Sequence, residues 1–289
     1  MTSVLIHIAI LICIYAIVAV SLNVTLGYTG IINLGHIAFF GVGAYTSAIL
    51  TVKYGFSFLS AFLLAGVLAG ISGLVLQKLI NKLEGDYLAL ATLAFAFIVH
   101  AVFVNYKELT NGPLGIPGIP KPNLFGYKIV GNSMYLLFAF LVAAISIYIM
   151  YRLVNSRYGK LLEGVRDDML GLQARGKDVY KLRYQSMAIS AFFAGIAGSV
   201  FAHYLSYIDP TSFFIADIIL VLSIVIVGGL ASVRGSVVAA VVLVILPEAL
   251  RFVDLPSSVI GPMRQIIYAL VLLGILLYNP KGFYGKVEI

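Results

Sequence analysis

Charge is what this chain has least of. Only 11% of its 289 residues are Asp, Glu, Lys or Arg and no Pro- or Ser-rich tract is present, which excludes an ordinary soluble globular protein. Cysteine is nearly missing as well, and the single Cys13 rules out an intrachain disulfide and a cysteine-based metal site. Four scattered histidines and no clustered carboxylates leave no nucleophile or metal set from which to build an enzyme site. A phosphate loop is absent too: the Gly-Lys pairs at 159–160, 176–177 and 285–286 are followed by Leu, Asp and Val rather than Ser or Thr. No pair of embedded carboxylates suggests a proton relay, since Asp217 and Glu248 stand near predicted helix ends, where snorkelling to the interface accounts for them. No Lys or Arg precedes Lys53, so the first apolar run lacks the basic flank of a secretory signal. It is also too long for one and reads as a membrane helix.

What remains is 61% hydrophobic, with a mean hydropathy of +1.04. The solvent for most of it must be lipid. Crossing a hydrocarbon core of roughly 30 Å takes about 20 apolar residues in a helix, which satisfies every backbone N–H and C=O internally. Such runs fall at about 4–26, 31–52, 57–77, 87–105, 133–151, 184–205, 214–231, 237–250 and 260–278. The fold class is therefore an all-α polytopic membrane protein, a bundle of about 8–9 transmembrane helices forming one transmembrane domain over residues 1–289.

Basic residues orient the bundle. The connections holding Lys78 and Lys82, the eight bases from Arg152 to Arg183, Arg234, and Lys281 with Lys286 share one side by parity and carry 13 of the 19 Lys and Arg. Lys53, Lys107, Lys121, Lys128, Arg251 and Arg264 fall on the other. Because cytoplasmic loops are enriched in Lys and Arg, loop 152–183 and the C-terminus are expected inside and loop 106–132 outside. The N-terminus is open: it lies outside if 31–52 crosses fully and inside if that segment is a broken or re-entrant element.

Two stretches interrupt the apolar pattern. In "GYTGIINLGHIAFFGVGAYTSAIL", Gly27, Gly30, Gly35, Gly41 and Gly43 break a run that would otherwise be a plain helix. They serve either close helix packing, as Gly66 with Gly70 and Ala194 with Gly198 do, or an unwound backbone lining a solute path with Asn33 and His36 as polar lining. The second stretch, "EGVRDDMLGLQARGKDVYKLR" at 163–183, is the most hydrophilic in the chain. Leu161, Val165, Met169 and Leu172 recur there at helical spacing, with Glu163, Asp167 and Asp168 early and Arg175 and Lys177 late, as the helix dipole favours. Asn155 or Ser156 can cap the start and Gly176 the finish, which predicts a short amphipathic helix over about 160–174. Its acids would be repelled by anionic headgroups, so the expected partner of the apolar stripe is a protein.

The chain resembles the membrane permeases of bacterial and archaeal ABC importers for branched-chain amino acids, and among them the second of the two permease subunits. "SLNVTLGYTGIINLGHIAFFGVGAY" at 21–45, "GDYLALATLAF" at 85–95, "ELTNGPLGIPGIPKP" at 108–122 and "GVRDDMLGLQARGKDVYKLR" at 164–183 are similar to the family's signatures, in the family's order.

That resemblance implies roles. Arg166, Asp167, Asp168 and Gly176 would couple to an ATPase, joined by Glu163, Val165, Met169 and Leu172 of the amphipathic helix read above, and Asn33, Gly35, His36, Gly41, Gly43, Tyr87 and Thr92 would lie near the translocation path. The implied assembly pairs this chain with a homologous permease subunit (alternatively a second copy) and two cytoplasmic ABC ATPase subunits, served by an extracytoplasmic substrate-binding protein. It is embedded in the bilayer of a bacterial inner membrane or archaeal cell membrane, without nucleic acid. No cofactor is expected in this chain, because ATP and Mg would be held by the partner ATPase. Relatives are associated with leucine, isoleucine and valine, and also with other amino acids, short amides and urea. A solitary channel or secondary transporter is the rival reading, and it would leave the hydrophilic loop unexplained. Two departures stand out: Ala96-Phe97 occupies the place where family members commonly carry Gly-Glu, and Lys177 follows the coupling glycine where an aliphatic or aromatic residue is usual.

Overall fold

A computed structural model describes residues 2–124, 127–249, 257–278 and 281–285. Each of the nine apolar runs contains a helix. In chain order these are α1 (Thr2–Asn23), which continues as a π-helical turn over Val24–Tyr28, α2 (His36–Val52), α3 (Phe58–Ile80), α4 (Gly85–Asn105), a short α5 (Lys107–Thr110) and α6 (Asn132–Val154). The hydrophilic loop forms α7 (Arg157–Asp167) and α8 (Met169–Ala174), and α9 (Val179–Leu205), α10 (Ile215–Gly228), α11 (Val233–Ala249) and α12 (Ser257–Tyr278) follow. Among the described residues six helices are long and apolar enough to cross a membrane, and His36–Val52 and Val233–Leu246 are shorter apolar helices. Large apolar side chains such as Leu63, Leu90, Ile98 and Leu137 point outward, as they must where lipid is the solvent.

The two ends of the bundle differ. At one end the strap 106–132 is tied down by one short antiparallel pair, β1 (Ile116–Pro117) with β4 (Tyr207–Ile208), and folds on itself in another, β2 (Asn123–Leu124) with β3 (Tyr127–Lys128). Lys121 Nζ donates to the Tyr204 carbonyl at 2.5 Å, and Tyr204 Oη meets His7 Nδ1 at 2.6 Å, which places the start of α1 at this same end. Burial lowers the Lys121 pKa. The opposite end gathers α7, α8 and the tail, whose Phe283 and Tyr284 N–H groups donate to Val227 and Gly228 carbonyls at 2.8 and 3.1 Å. Lys286 and Arg251 lie outside the described residues.

Segment 29–53 settles how the chain returns from the second end to the first. Gly30 lies against Arg166 of α7, while Lys53 Nζ donates to the Glu108 carbonyl at 2.6 Å. The segment therefore crosses fully. Its 17-residue helix α2 rises only about 25 Å at 1.5 Å per residue, and unwound residues 29–35 cover the rest. The helix cannot begin earlier because the Asn33 side chain accepts the Gly35 N–H at 3.1 Å, a local bond that competes with helical pairing.

The core is centred on α9, which packs against α1, α2 and α3. Small residues allow close approach: a Cβ on Gly43 would overlap the Gly195 backbone, one on Gly66 would meet Phe192 and Ile196, and one on Gly198 would overlap the Phe40 carbonyl. Buried hydroxyls cross the same interfaces, with Ser190 Oγ donating to the Ser21 carbonyl at 2.5 Å and Ser199 Oγ to Ser47 Oγ at 2.7 Å.

Candidate coupling site and unwound segment

The hydrophilic loop is two helices rather than the one expected over 160–174. Ser156 caps α7 by accepting the Tyr158 N–H at 3.2 Å. The helix then stops at Asp168 (φ −152°, ψ 84°), whose side chain accepts the Gly171 N–H at 2.8 Å and so caps α8. An aspartate three residues before a free N–H starts a new helix more readily than it continues an old one. Gly176 ends α8 with φ +75°: the Lys177 N–H reaches the Leu172 carbonyl at 3.2 Å and the Gly176 N–H reaches Gln173 at 2.8 Å.

The apolar stripe lies against the chain's own bundle. Val165 is 5% exposed, and Leu161, Met169 and Leu172 pack on the chain's own core. The physical reason is proximity, since α7 lies directly under the bundle and buries its apolar face there. Leu162, absent from the predicted stripe, is fully buried. Burial also pushes the Tyr158 hydroxyl up to about 12. The outward residues include Asp167, Asp168, Leu170 (78% exposed), Arg175, Gly176 and Lys177.

Arg166 joins this exposed surface to the interior. Its Nε and Nη2 form a fork on the Asp167 carboxylate at 2.7 and 3.0 Å, while Nη1 donates to the Gly27 carbonyl at 2.7 Å. Gly27 is in the π-helical turn, and Gly30, two residues beyond Tyr28, rests on the aliphatic part of Arg166. A cavity of about 250 Å³ adjoins the contact, lined by Thr29, Gly30, Glu84, Arg166, Met169 and Arg183. The Glu163 carboxylate stands within electrostatic reach of the Tyr28 hydroxyl.

Of the seven residues expected near the path, six are buried and Tyr87 alone is exposed, at 76%. His36 Nε2 lies 2.9 Å from Ser21 Oγ, and Asn33 Nδ2 lies 3.5 Å from both His36 Nδ1 and Met187 Sδ. Thr92 Oγ1 accepts the Leu34 N–H at 3.0 Å, and a Cβ on Gly35 would overlap the Thr92 carbonyl. Gly41 abuts Phe103 and Phe213. These side chains hold the unwound segment against α1, α4 and α9.

Two polar contacts escaped sequence reading. Asn23 Nδ2 donates to Ser236 Oγ at 2.7 Å and approaches the Gly229 and Ser232 carbonyls at 3.2 Å, while its Oδ1 accepts the Ala231 N–H at 3.0 Å. This locks the end of α1 to the α10–α11 turn. Its one visible sign was an amide within an apolar run. Asp217 does not snorkel: its carboxylate accepts the Tyr15 hydroxyl at 3.0 Å, eight residues, or about 12 Å, further along α1 than His7. The side chain of Glu248 lies outside the described residues. No group of three or more His, Cys, Asp or Glu that could hold a metal ion occurs among the described residues.

The model of the family described as "Branched-chain amino acid transport system / permease component" matches residues 4–278. The chain belongs to this permease family. It is 35% identical to the high-affinity branched-chain amino acid transport system permease protein LivM of Escherichia coli, over 96% of this chain and 69% of that one. A probable LivM of Methanocaldococcus jannaschii is 27% identical over 95% and 91%, and the ribose import permease RbsC of Haemophilus influenzae is 24% identical over 89% and 79%. No solved structure matches the chain. As a member of the permease family it is a multi-pass membrane transport subunit, and the family's transport systems are multi-component assemblies.

Proposed function

We propose that this permease imports branched-chain amino acids as one membrane half of an ATP-driven transporter, with hydrolysis confined to a partner subunit that binds ATP and Mg. The strongest support is the Arg166 bridge. One guanidinium holds both an outward carboxylate of the hydrophilic loop and the backbone of the π-helical turn that leads into the unwound segment. A displacement of α7 and α8 by a docked ATPase would therefore pull on residues 27–35 directly. In this reading Asp167, Asp168, Leu170 and Arg175 meet the ATPase, Arg166 transmits, and Leu162, Val165, Met169 and Leu172 keep the helices rigidly attached. Asn33, Gly35, His36 and Thr92 set the shape of the unwound segment, while Tyr87 is available to a second permease subunit or to the path.

The loop end is cytoplasmic, the strap 106–132 and the N-terminal end of α1 face the outside, and an external binding protein delivers substrate to the strap. Impermeant thiol labelling in a Cys13→Ser background tests this orientation: a cysteine at position 127 should react in intact cells and one at position 160 should not. The function is tested by co-expressing the chain with its genomic neighbours and measuring ATP-dependent uptake of leucine, isoleucine and valine. Uptake by this chain without an ATPase would overturn the reading.

A further inference from the structure

We infer that a groove between α1, α6 and α11 is a binding site for an anionic phospholipid, with the headgroup phosphate on Arg234 and an acyl chain laid along the helices. This goes beyond the transport reading and does not depend on the substrate.

The groove has two connected parts. A cavity of about 660 Å³ is lined at the coupling end by Tyr148, Tyr151, Arg234 and Tyr284. A second, of about 600 Å³, continues between α1, α6 and α11, with Ile12, Leu136, Phe140 and Val241 in its walls. Ala144, Ile147 and Val237 line both, so the trough is continuous. From Tyr151 to Leu136 it runs about 22 Å along α6 at 1.5 Å per residue, more than the half-thickness of a hydrocarbon core of roughly 30 Å that one acyl chain covers.

Its chemistry is graded as a lipid's is. The deep part is apolar apart from Ser133 at its far end and Cys13. The coupling end carries one cation and three tyrosines, residues that sit at the level of lipid headgroups. The Arg234 guanidinium carbon lies 6.0 Å from the Tyr151 ring centroid, and no carboxylate reaches Arg234 within salt-bridge distance among the described residues. Arg234 also stands in the first turn of α11, where the helix dipole opposes a cation unless an anion neutralises it. A phosphate supplies that charge, and basic pockets between transmembrane helices on the cytoplasmic side bind anionic headgroups by the same chemistry. A second permease subunit would need an acidic or neutral apolar face here; the cation beside an apolar trough as deep as a leaflet favours a lipid.

The test uses the full chain purified in mild detergent, with phosphatidylglycerol or phosphatidylcholine of the same chain length added. Native mass spectrometry should show phosphatidylglycerol retained about tenfold more strongly than phosphatidylcholine. Arg234→Gln should erase that preference while leaving weak retention of both. Ala144→Phe, which fills the floor of the trough, should lower retention of both, and Arg152→Gln, outside the trough, should leave the preference intact. Thermal unfolding with each lipid checks that every variant is folded. Equal retention of the two lipids by the wild type, an undiminished preference in folded Arg234→Gln, or disulfide capture of a second permease subunit by Val237→Cys would each overturn the assignment.

Discussion

Gly43 and Gly176 lie in the two stretches whose glycines stood out most, and they are there for opposite reasons. At Gly43 the backbone is helical and the space is missing, since a Cβ would overlap the Gly195 backbone of α9. At Gly176 the space is open, with nothing within 4 Å of where a Cβ would stand, and the backbone is what demands glycine, at φ +75°. The first region is closed on itself; the second is tethered along one face and open along the other. Packing therefore dominates around α2, whereas conformation and exposed chemistry dominate around α7 and α8.

The largest effect should come from Gly43→Leu. Overpacking a core usually costs about 1–3 kcal/mol, and more when the obstacle is backbone that cannot move aside. Loss of folded protein from the membrane fraction is expected, measured by fluorescence-detected gel filtration. Normal yield and an unchanged Tm would mean that α2 and α9 are not as close as Gly43 and Gly195 indicate.

Next are substitutions that separate the two faces of the coupling helices. Asp167→Arg with Leu170→Asp alters the outward face, and with it the Arg166–Asp167 fork, and should leave the fold intact. It should abolish co-purification with the ATPase, because central interface residues cost about 2 kcal/mol or more when changed. Met169→Asp points the other way and puts a charge against the core, so it should lower the Tm of the isolated chain. If both variants behaved alike, the inward and outward assignment would be wrong.

Arg166→Leu removes the polar link between regions while keeping a Cβ and a Cγ against Gly30. A hydrogen bond from a charged group contributes about 1.5–3 kcal/mol. The expected result is a bound ATPase that still hydrolyses ATP with uptake per ATP reduced about tenfold, read from paired transport and phosphate-release assays. Unchanged stoichiometry would leave the bridge as a structural tie alone.

The smallest effect belongs to Gly176→Ala. A left-handed conformation costs an L-residue roughly 1–2 kcal/mol, spread here over an exposed turn. A slight loss of stability is expected, with Gly176→Asn milder still, since Asn tolerates that region. A collapse comparable to Gly43→Leu would erase the contrast between the two glycines.

Much of this was legible in the residues. The nine apolar runs became nine helices because the hydrocarbon core leaves a lipid-facing backbone no other way to satisfy its polar groups. The stop at Gly176 and a cap at Asn155 or Ser156 were legible because caps are local events, decided within a few residues, and the structure chose Ser156. The stripe Leu161, Val165, Met169, Leu172 was legible as a stripe but its direction was not, because periodicity says that a face is apolar and says nothing of what covers it. Asp168 looked like one of three early acids on a single helix and proved to be the cap that divides it.

The sequence by itself determined an all-α membrane bundle, the place of its hydrophilic loop and the alternation of its ends, since each follows from hydropathy, charge and local backbone preference. Only the tertiary structure decided that 29–53 crosses with an unwound first part, that Asn33 and His36 are buried beside Ser21 and Met187, that Asn23 ties α1 to the α10–α11 turn, and that Arg166 reaches Gly27. Those contacts join residues as far as 213 positions apart. Their partners are chosen by how helices pack in three dimensions, and no spacing along the chain encodes which backbone carbonyl will lie beneath a given guanidinium.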